Sequence, residues 1–372
     1  MDRKKTLLLF SYDFPPSNGG IARLCHEIAV EAKKYYDRVV VLTRKKETVH
    51  VPYNYNEINI VELPASRVKC ELAAFHYLRN IKDKSNVDVL CGVWHPEGLI
   101  SLIAGMKNVF ILGHGTEFLS GKSKFRKLLW LPVYSPFVLN RAQKIITNSN
   151  YTARLVSGIT DKANVIAIPL AVNHNYFMPS GKKNDSNKLR LCSVSRISKF
   201  KGHDFIIQTI SRLPDEFLNK VELHIAGKGP YLKELESLVE KLNLRHQVFL
   251  HQYVPDEKLP DFYNQSDAFI LCTRQSSEST EVEGFGLVFL EAQSCGKPAI
   301  GTNTGGIPDA IEAENGGWLI EQDNQEQLTN LIIKLIENRK YLEDQARKAR
   351  LRILEKCTWD YYCEKLFKEM DR

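Results

Sequence analysis

Thr6-Leu7-Leu8-Leu9-Phe10-Ser11 is a short apolar run, Asp13-Phe14-Pro15-Pro16-Ser17-Asn18-Gly19-Gly20 follows as a turn, and Gly20–Lys33 reads as a helix. Within that helix Ile21, Leu24, Cys25, Ile28, Ala29 and Ala32 fall at i, i+3, i+4, i+7, i+8 and i+11, which places them on one face. Strand, glycine turn and helix in that order form the first half of a βαβ unit. The pattern recurs outward from this stretch. Further strands are expected at Arg38–Thr43, Ile58–Leu63, Val87–Cys91, Val109–Leu112, Lys144–Thr147 and Val165–Ile168. A second series follows at Leu189–Ser195, Val221–Ala226, Val248–His251, Ala268–Cys272 and Pro298–Thr302, with a helix at Tyr231–Leu242 between two of them. Pro169–Ser186, with Pro169, Pro179, Gly181 and a polar run, reads as the linker between the two series. The expected fold class is α/β, with two Rossmann-like doubly wound domains facing across a cleft and ligands at the C-terminal ends of their strands.

Composition agrees with this and narrows the function. At 372 residues the chain is long enough for two cores, and 43% hydrophobic with 26% charged residues excludes a disordered or collagen-like chain. Charge is uneven. Residues 1–170 carry 24 Lys/Arg against 14 Asp/Glu, and residues 171–372 carry 27 against 30. A basic first half suggests an anionic partner there, whether nucleic acid, a membrane surface or a phosphorylated acceptor. The eight cysteines form no C-x-x-C pair and sit mostly in apolar stretches, as buried thiols of a reducing compartment do. No apolar run reaches the roughly 18 residues of a membrane span. The expected location is cytoplasmic, with peripheral attachment to a membrane left open.

Five segments carry residues with chemistry. In Glu281-Val282-Glu283-Gly284-Phe285-Gly286-Leu287-Val288-Phe289-Leu290-Glu291-Ala292, glycines precede an apolar helix, whose free N–H groups favour a phosphate. Glu283 before that helix and Glu291 about two turns into it are placed to accept bonds from hydroxyls. Two carboxylates beside an anion also require cations, and Arg196 and Lys201 in Ser195–Gly202 supply them. Gly19 and Gly20 let the backbone approach a phosphate, although a plain tight turn explains them too. His114 in His114-Gly115-Thr116-Glu117 follows one strand and is placed to bond substrate hydroxyls or move a proton, a structural hydrogen bond being the plainer reading. His95 in Trp94-His95-Pro96-Glu97 stands at the end of another strand, as an acceptor contact.

Together these segments resemble a retaining glycosyltransferase of family 4, of GT-B architecture. The resemblance rests on the E-x7-E element from Glu283 to Glu291 with its continuation through Cys295-Gly296-Lys297-Pro298 and Gly305-Gly306-Ile307-Pro308-Asp309. The Gly19-Gly20 turn, Arg196…Lys201-Gly202, Ala226-Gly227-Lys228-Gly229-Pro230 and His114-Gly115-Thr116-Glu117 support it in the expected order. It implies an N-terminal acceptor-binding domain over 1–170, with 358–372 crossing back onto it, and a nucleotide-sugar-binding domain over 171–357. It also implies that Glu291 holds the ribose and Glu283 the donor sugar. The diphosphate is met by Arg196, Lys201, Gly19, Gly20 and the backbone of Phe285, Gly286 and Leu287. Val254, beside Tyr253, meets the base, His114 the sugar near the reacting carbon, and Tyr12 and His95 the acceptor. His114, Glu283, Arg196 and Lys201 form the implied catalytic set.

The expected reaction is transfer of a hexose with retention to a glycan or polyprenyl-diphosphate-linked acceptor, in bacterial surface polysaccharide such as O-antigen or capsule. GDP-mannose is the first expected donor and a UDP-hexose or UDP-N-acetylhexosamine the next. No D-x-D motif and no His/Cys cluster of metal-ligand spacing stands in the sequence, so neither cofactor nor metal is expected. Gly121-Lys122-Ser123-Lys124-Phe125-Arg126-Lys127-Leu128-Leu129-Trp130-Leu131-Pro132 combines four cations with apolar residues, as a segment lying on the anionic inner-membrane surface would. A nucleotide-sugar epimerase or a phosphorylase is the alternative enzyme. A basic nucleic-acid-binding protein is the non-enzyme alternative, although nucleic acid is not the expected partner because it leaves Glu283 and Glu291 unexplained.

Overall fold

A computed structural model describes residues 5–17, 19–45, 58–160, 164–181, 187–276 and 281–371. The chain divides into two compact units. Unit 1 is Met1–Pro169 with Trp359–Arg372, and unit 2 is Leu170–Thr358.

Unit 1 holds seven strands: β1 (Thr6–Phe10), β2 (Arg38–Arg44), β3 (Asn59–Leu63), β4 (Val87–Cys91), β5 (Asn108–Gly113), β6 (Lys144–Thr147) and β7 (Val165–Ala167). They pair in parallel in the order β3-β2-β1-β4-β5-β6-β7. Strands of such sheets are buried on both sides. In β1, Leu8 and Phe10 share a cluster with Val89, Ile111 and Ile145, while Leu7 and Leu9, at 0% exposure, are covered on the opposite face. The first helix, Gly20–Glu31, tightens into a 3₁₀ turn at Ala32–Lys34, two residues before the expected end. The helix Trp359–Met370 returns to unit 1 and buries Trp359, Tyr362, Cys363, Leu366, Phe367 and Met370. Lys34 pairs with its Asp360 at 2.5 Å, and Lys144 with its Glu369 at 2.8 Å.

Unit 2 holds six strands: β8 (Leu189–Val194), β9 (Val221–Ala226), β10 (Val248–Leu250), β11 (Ala268–Leu271), β12 (Ala299–Thr302) and β13 (Gly317–Ile320). Their order is β10-β9-β8-β11-β12-β13, again all parallel. The two sheets therefore share one plan. In each, the direction of winding reverses beside the first strand, between β1 and β4 in unit 1 and between β8 and β11 in unit 2. A crevice opens at that reversal, outside the carboxyl ends of the two strands.

Two expectations change. β13 was not anticipated, because its apolar run is only Trp318-Leu319-Ile320 between a glycine pair and Glu321. The stretch expected as a linker is partly core: Leu170, Ala171, Val172 and Phe177 are at most 7% exposed, and Val172 bridges to Thr358. Lys182–Ser186 lie outside the described residues.

Candidate active site

In unit 2 the loop after β8 leads through Lys199–Lys201 to Gly202 and the helix His203–Ile210. Gly202 has φ +74°, and a Cβ there would stand 1.8 Å from the Cys272 carbonyl oxygen just after β11. Only glycine lets the two loops at the reversal approach this closely. Arg274 tightens the junction. Its N–H donates to the Phe200 carbonyl (2.6 Å), its guanidinium donates to both oxygens of Asp204 (2.7 and 2.9 Å), and its Nε donates to Asp323 (2.7 Å). These fork-like contacts keep Arg274 charged against the burial that opposes it.

That junction holds Lys201 beside the E-x7-E segment. Lys201 Nζ donates to Glu283 Oε2 at 2.5 Å, with side chains only 14% and 16% exposed. The turn after β12 fixes Glu283 from behind: the Gly306 N–H donates to its carbonyl at 2.8 Å, and a Cβ on Gly305 would come within 2.4 Å of that oxygen. Gly286, at φ +90°, precedes the helix Leu287–Ser294 and, as a glycine, gives it no side-chain cap. Phe285 is buried and Leu287 half-buried. Glu291 is the fifth residue of that helix, one turn in rather than two. It is 4% exposed and accepts from Tyr263 Oη at 2.9 Å. Burial and the adjoining carboxylate push the Tyr263 phenol well up, so it remains a donor.

Arg196 is exposed on the same β8 loop. Tyr253 is 55% exposed, with Lys228 Nζ 5.0 Å from its ring centre, and Val254 beside it is half-buried. Residues 277–280, part of the polar stretch ahead of Glu283, lie outside the described residues.

In unit 1 the reversal is also closed by a glycine: a Cβ on Gly92, just after β4, would stand 2.4 Å from Ser11 Oγ, just after β1. Gly19, at φ +144°, precedes the helix Gly20–Glu31 without a side-chain cap, and a Cβ there would meet nothing within 4 Å. Gly19 and Gly20 at this end are exposed; Asn18 lies outside the described residues. The Tyr12 N–H donates to Glu97 Oε1 at 3.1 Å. Glu97 is 3% exposed, its second oxygen has no hydrogen-bond partner among the described residues, and burial pushes its carboxyl up to about 8.

His95 Nδ1 lies 2.6 Å from Tyr134 Oη within an aromatic group of Trp94, Trp130 and Tyr134. Burial, with Arg67 nearby, lowers its pKa and keeps it neutral. His114 Nε2 donates to the Gly92 carbonyl at 2.7 Å, and in that tautomer Nδ1 is the acceptor nitrogen. The His114 N–H donates to Glu117 (2.6 Å), and Asn148 Nδ2 donates to the His114 carbonyl (3.0 Å).

Sequence reasoning missed Arg274, Asp204, Tyr263 and Asn148 and passed over Glu97 for its neighbour His95. Arg274 had a readable signal, a charged residue just beyond the last buried positions of a strand. Tyr263 had none, because an aromatic in a short helix reads as core.

A family model described as Glycosyltransferase Family 4 matches residues 18–176, and one described as Glycosyl transferases group 1 matches residues 177–352. The chain is 24% identical over 352 residues to a GDP-mannose-dependent alpha-(1-6)-phosphatidylinositol monomannoside mannosyltransferase of Mycolicibacterium smegmatis, covering 89% of each. It is 25% identical over 334 residues to the phosphatidylinositol N-acetylglucosaminyltransferase GPI3 subunit of Saccharomyces cerevisiae, covering 85% of this chain and 70% of that one. Among solved structures, Anabaena HepE in complex with UDP superposes with a TM-score of 0.77 at 18% identity, covering 99% of both chains.

Proposed function

The chain belongs to glycosyltransferase family 4, with the GT-B fold, and from that membership we propose that it transfers a hexose with retention from a nucleotide-diphosphate sugar to a hydroxyl of a glycan or lipid-linked acceptor. One observation carries the reading: Lys201 and Glu283, read separately from the sequence as a diphosphate ligand and a sugar ligand, meet at the reversal of unit 2. GDP-mannose is the first donor to test, as the mycobacterial relative's description supports. A UDP-hexose or UDP-N-acetylhexosamine is the next, supported by the yeast relative and the UDP complex.

In this reading Arg196, Lys201 and the uncapped start of Leu287–Ser294 neutralise the leaving diphosphate, as charges fixed before reaction do. Glu283 and Glu291 accept hydrogen bonds from sugar and ribose hydroxyls. His114 Nδ1 accepts from a sugar hydroxyl, because its Nε2–H is engaged by Gly92. The acceptor oxygen bonds to the anomeric carbon on the face the leaving phosphate vacates, and its proton passes to a phosphate oxygen. With no D-x-D motif in the sequence, we read the reaction as metal-independent. The mycobacterial and yeast relatives are described as transferases, and no observation favours the epimerase, phosphorylase or nucleic-acid-binding alternatives.

The acceptor is read as a lipid-linked one met at a membrane. Phe125, Leu128, Leu129, Val133 and Phe137 are 47–71% exposed on the widened helical segment Arg126–Tyr134 and its flanks. Arg126 turns inward to the Glu117 carbonyl (2.7 Å), so three lysines, Lys122, Lys124 and Lys127, rather than four cations, face out. At about 1 kcal/mol each they contribute about 3 kcal/mol toward an anionic leaflet. No helix among the described residues is long and apolar enough to cross a membrane. A bacterial surface polysaccharide is the setting we propose.

A thermal-shift screen against GDP-, UDP-, dTDP- and ADP-sugars tests the donor, followed by transfer of labelled hexose into a bacterial lipid extract. Stabilisation by one class and label in lipid are expected. A protein stabilised by none would overturn the reading.

A further inference from the structure

We propose that Glu283 is a built-in counter-ion of Lys201 and that this pairing makes the site favour a diphosphate carrying a sugar over a bare one. The inference rests on the reading of unit 2 as the nucleotide-sugar site and extends it to how the product leaves.

Without ligand, the Lys201 ammonium is held by the Glu283 carboxylate at 2.5 Å, both groups largely shielded from water. Gly305 and Gly306 hold the Glu283 backbone, and the Arg274 junction holds the Lys201 loop, so neither partner is free to drift away. A diphosphate that recruits Lys201 therefore either draws the ammonium from Glu283 or shares it. In both cases it brings phosphate charge toward a half-buried carboxylate, where screening by water is weak.

A donor with its sugar offsets this, because sugar hydroxyls donate to Glu283 and replace the N–H it gives up. A nucleoside diphosphate has no such donor. Glu283 then loses part of its pairing and gains a like charge. The carboxylate thus opposes the product more than the substrate, and after transfer it recaptures Lys201 as the nucleoside diphosphate departs. Glu283 acts here as a specificity residue, in addition to its bond to the sugar.

The test measures binding by calorimetry of GDP and UDP, each with and without its hexose, to the full chain and to Glu283→Gln. The amide keeps an acceptor for Lys201 and removes the charge. The expected result is bare diphosphate bound about tenfold more tightly by the variant, with the intact donor bound no more tightly than before. In steady state the same change reads as stronger product inhibition relative to the donor KM. Glu281→Gln, which removes an equal charge from an exposed position two residues earlier, should shift bare diphosphate less than twofold.

Should Glu283→Gln not fold, Glu283→Asp withdraws the carboxylate from Lys201 and should shift the ratio the same way by about threefold. The proposal is overturned if bare diphosphate binds the variant equally or more weakly, if donor and diphosphate tighten together, or if Glu281→Gln matches the effect. A wild-type chain that binds neither form overturns the nucleotide-sugar reading itself, and this inference with it.

Discussion

The two units are built on the same strand order, and each closes its reversal with a glycine, yet the chemistry they place there is opposite. Unit 2, the more acidic half of the chain, sets a cation against a carboxylate, Lys201 on Glu283. Unit 1, the basic half, buries a carboxyl, Glu97, held by the Tyr12 N–H rather than by a cation, two residues from neutral His95. The net charge of each half thus says little about its crevice. Lys122, Lys124 and Lys127 of unit 1 are exposed. Burial raises acids in unit 1, Glu97 to about 8 and Glu27 to about 7. It lowers histidines in both units, His26 and His95 in unit 1 and, to about 3 and about 4, His203 and His224 in unit 2.

The largest expected effect breaks the symmetry of the two closing glycines. Gly202→Ala drives a Cβ into a backbone oxygen at a positive φ and should cost unit 2 about 4 kcal/mol or leave it unfolded. Gly92→Ala meets the Ser11 side chain, Oγ at 2.4 Å and Cβ at 2.7 Å, rather than a backbone carbonyl, and without a positive φ, so it should cost unit 1 less, about 2 kcal/mol. Urea unfolding followed by tryptophan fluorescence reads both, because Trp318 stands alone in unit 2 while Trp94, Trp130 and Trp359 belong to unit 1. Equal costs would remove the distinction. Next, Lys201→Met should lower kcat by roughly 100–1,000-fold, as loss of a preorganised charge does. His95→Ala in the other crevice should mainly raise the acceptor KM. If kcat and KM respond in the reverse pattern, the assignment of donor and acceptor ends is wrong.

A smaller effect is the opposed dependence on pH. The folded pKa of Glu97 lies above its ordinary 4.5, so Glu97 binds more protons folded than unfolded between 4.5 and about 8, and the stability it contributes to unit 1 falls as pH rises through that window. His203 lies below its ordinary 6.5, so the stability it contributes to unit 2 is complete above 6.5 and is lost as pH falls toward about 3. Urea midpoints read through single-tryptophan variants should move in opposite directions from pH 5 to 8, and Glu97→Gln should flatten only the unit 1 trend. Parallel movement would count against the burial argument. The smallest effect is at the surface. Lys124→Ala should weaken binding to anionic vesicles by about 1 kcal/mol, roughly fivefold, and leave soluble-acceptor turnover unchanged. Unaltered co-sedimentation would exclude that face as the membrane contact.

These contrasts also mark what was readable in advance. β4, β6 and β9 begin and end where expected: β4 and β6 are buried almost throughout, and β9 buries Val221, Leu223 and Ile225 between half-buried Glu222 and His224. The site motifs were readable singly, since glycines before a helix and charges after a strand are local signals. Their meeting was not. Lys201 and Glu283 lie 82 residues apart, and Tyr12 and Glu97 lie 85 apart. Nothing local in Glu97 marks it as buried, and only the pairing of β1 with β4 puts the Tyr12 N–H against it. Leu170–Phe177 misled for the same reason. Prolines and polar residues around it signal a linker, while its partner, Thr358, lies far along the chain.

The path of the chain has a consequence for biosynthesis. It leaves unit 1 at Pro169 and returns only at Trp359, so the helix Trp359–Met370 emerges from the ribosome after all of unit 2. Until then unit 1 lacks six side chains of its core, worth about 1.5–3 kcal/mol each before entropy is counted. The nascent N-terminal unit must wait, incomplete and sticky, while its successor is translated and folds, and chaperones that bind exposed apolar surface would find their target in that interval.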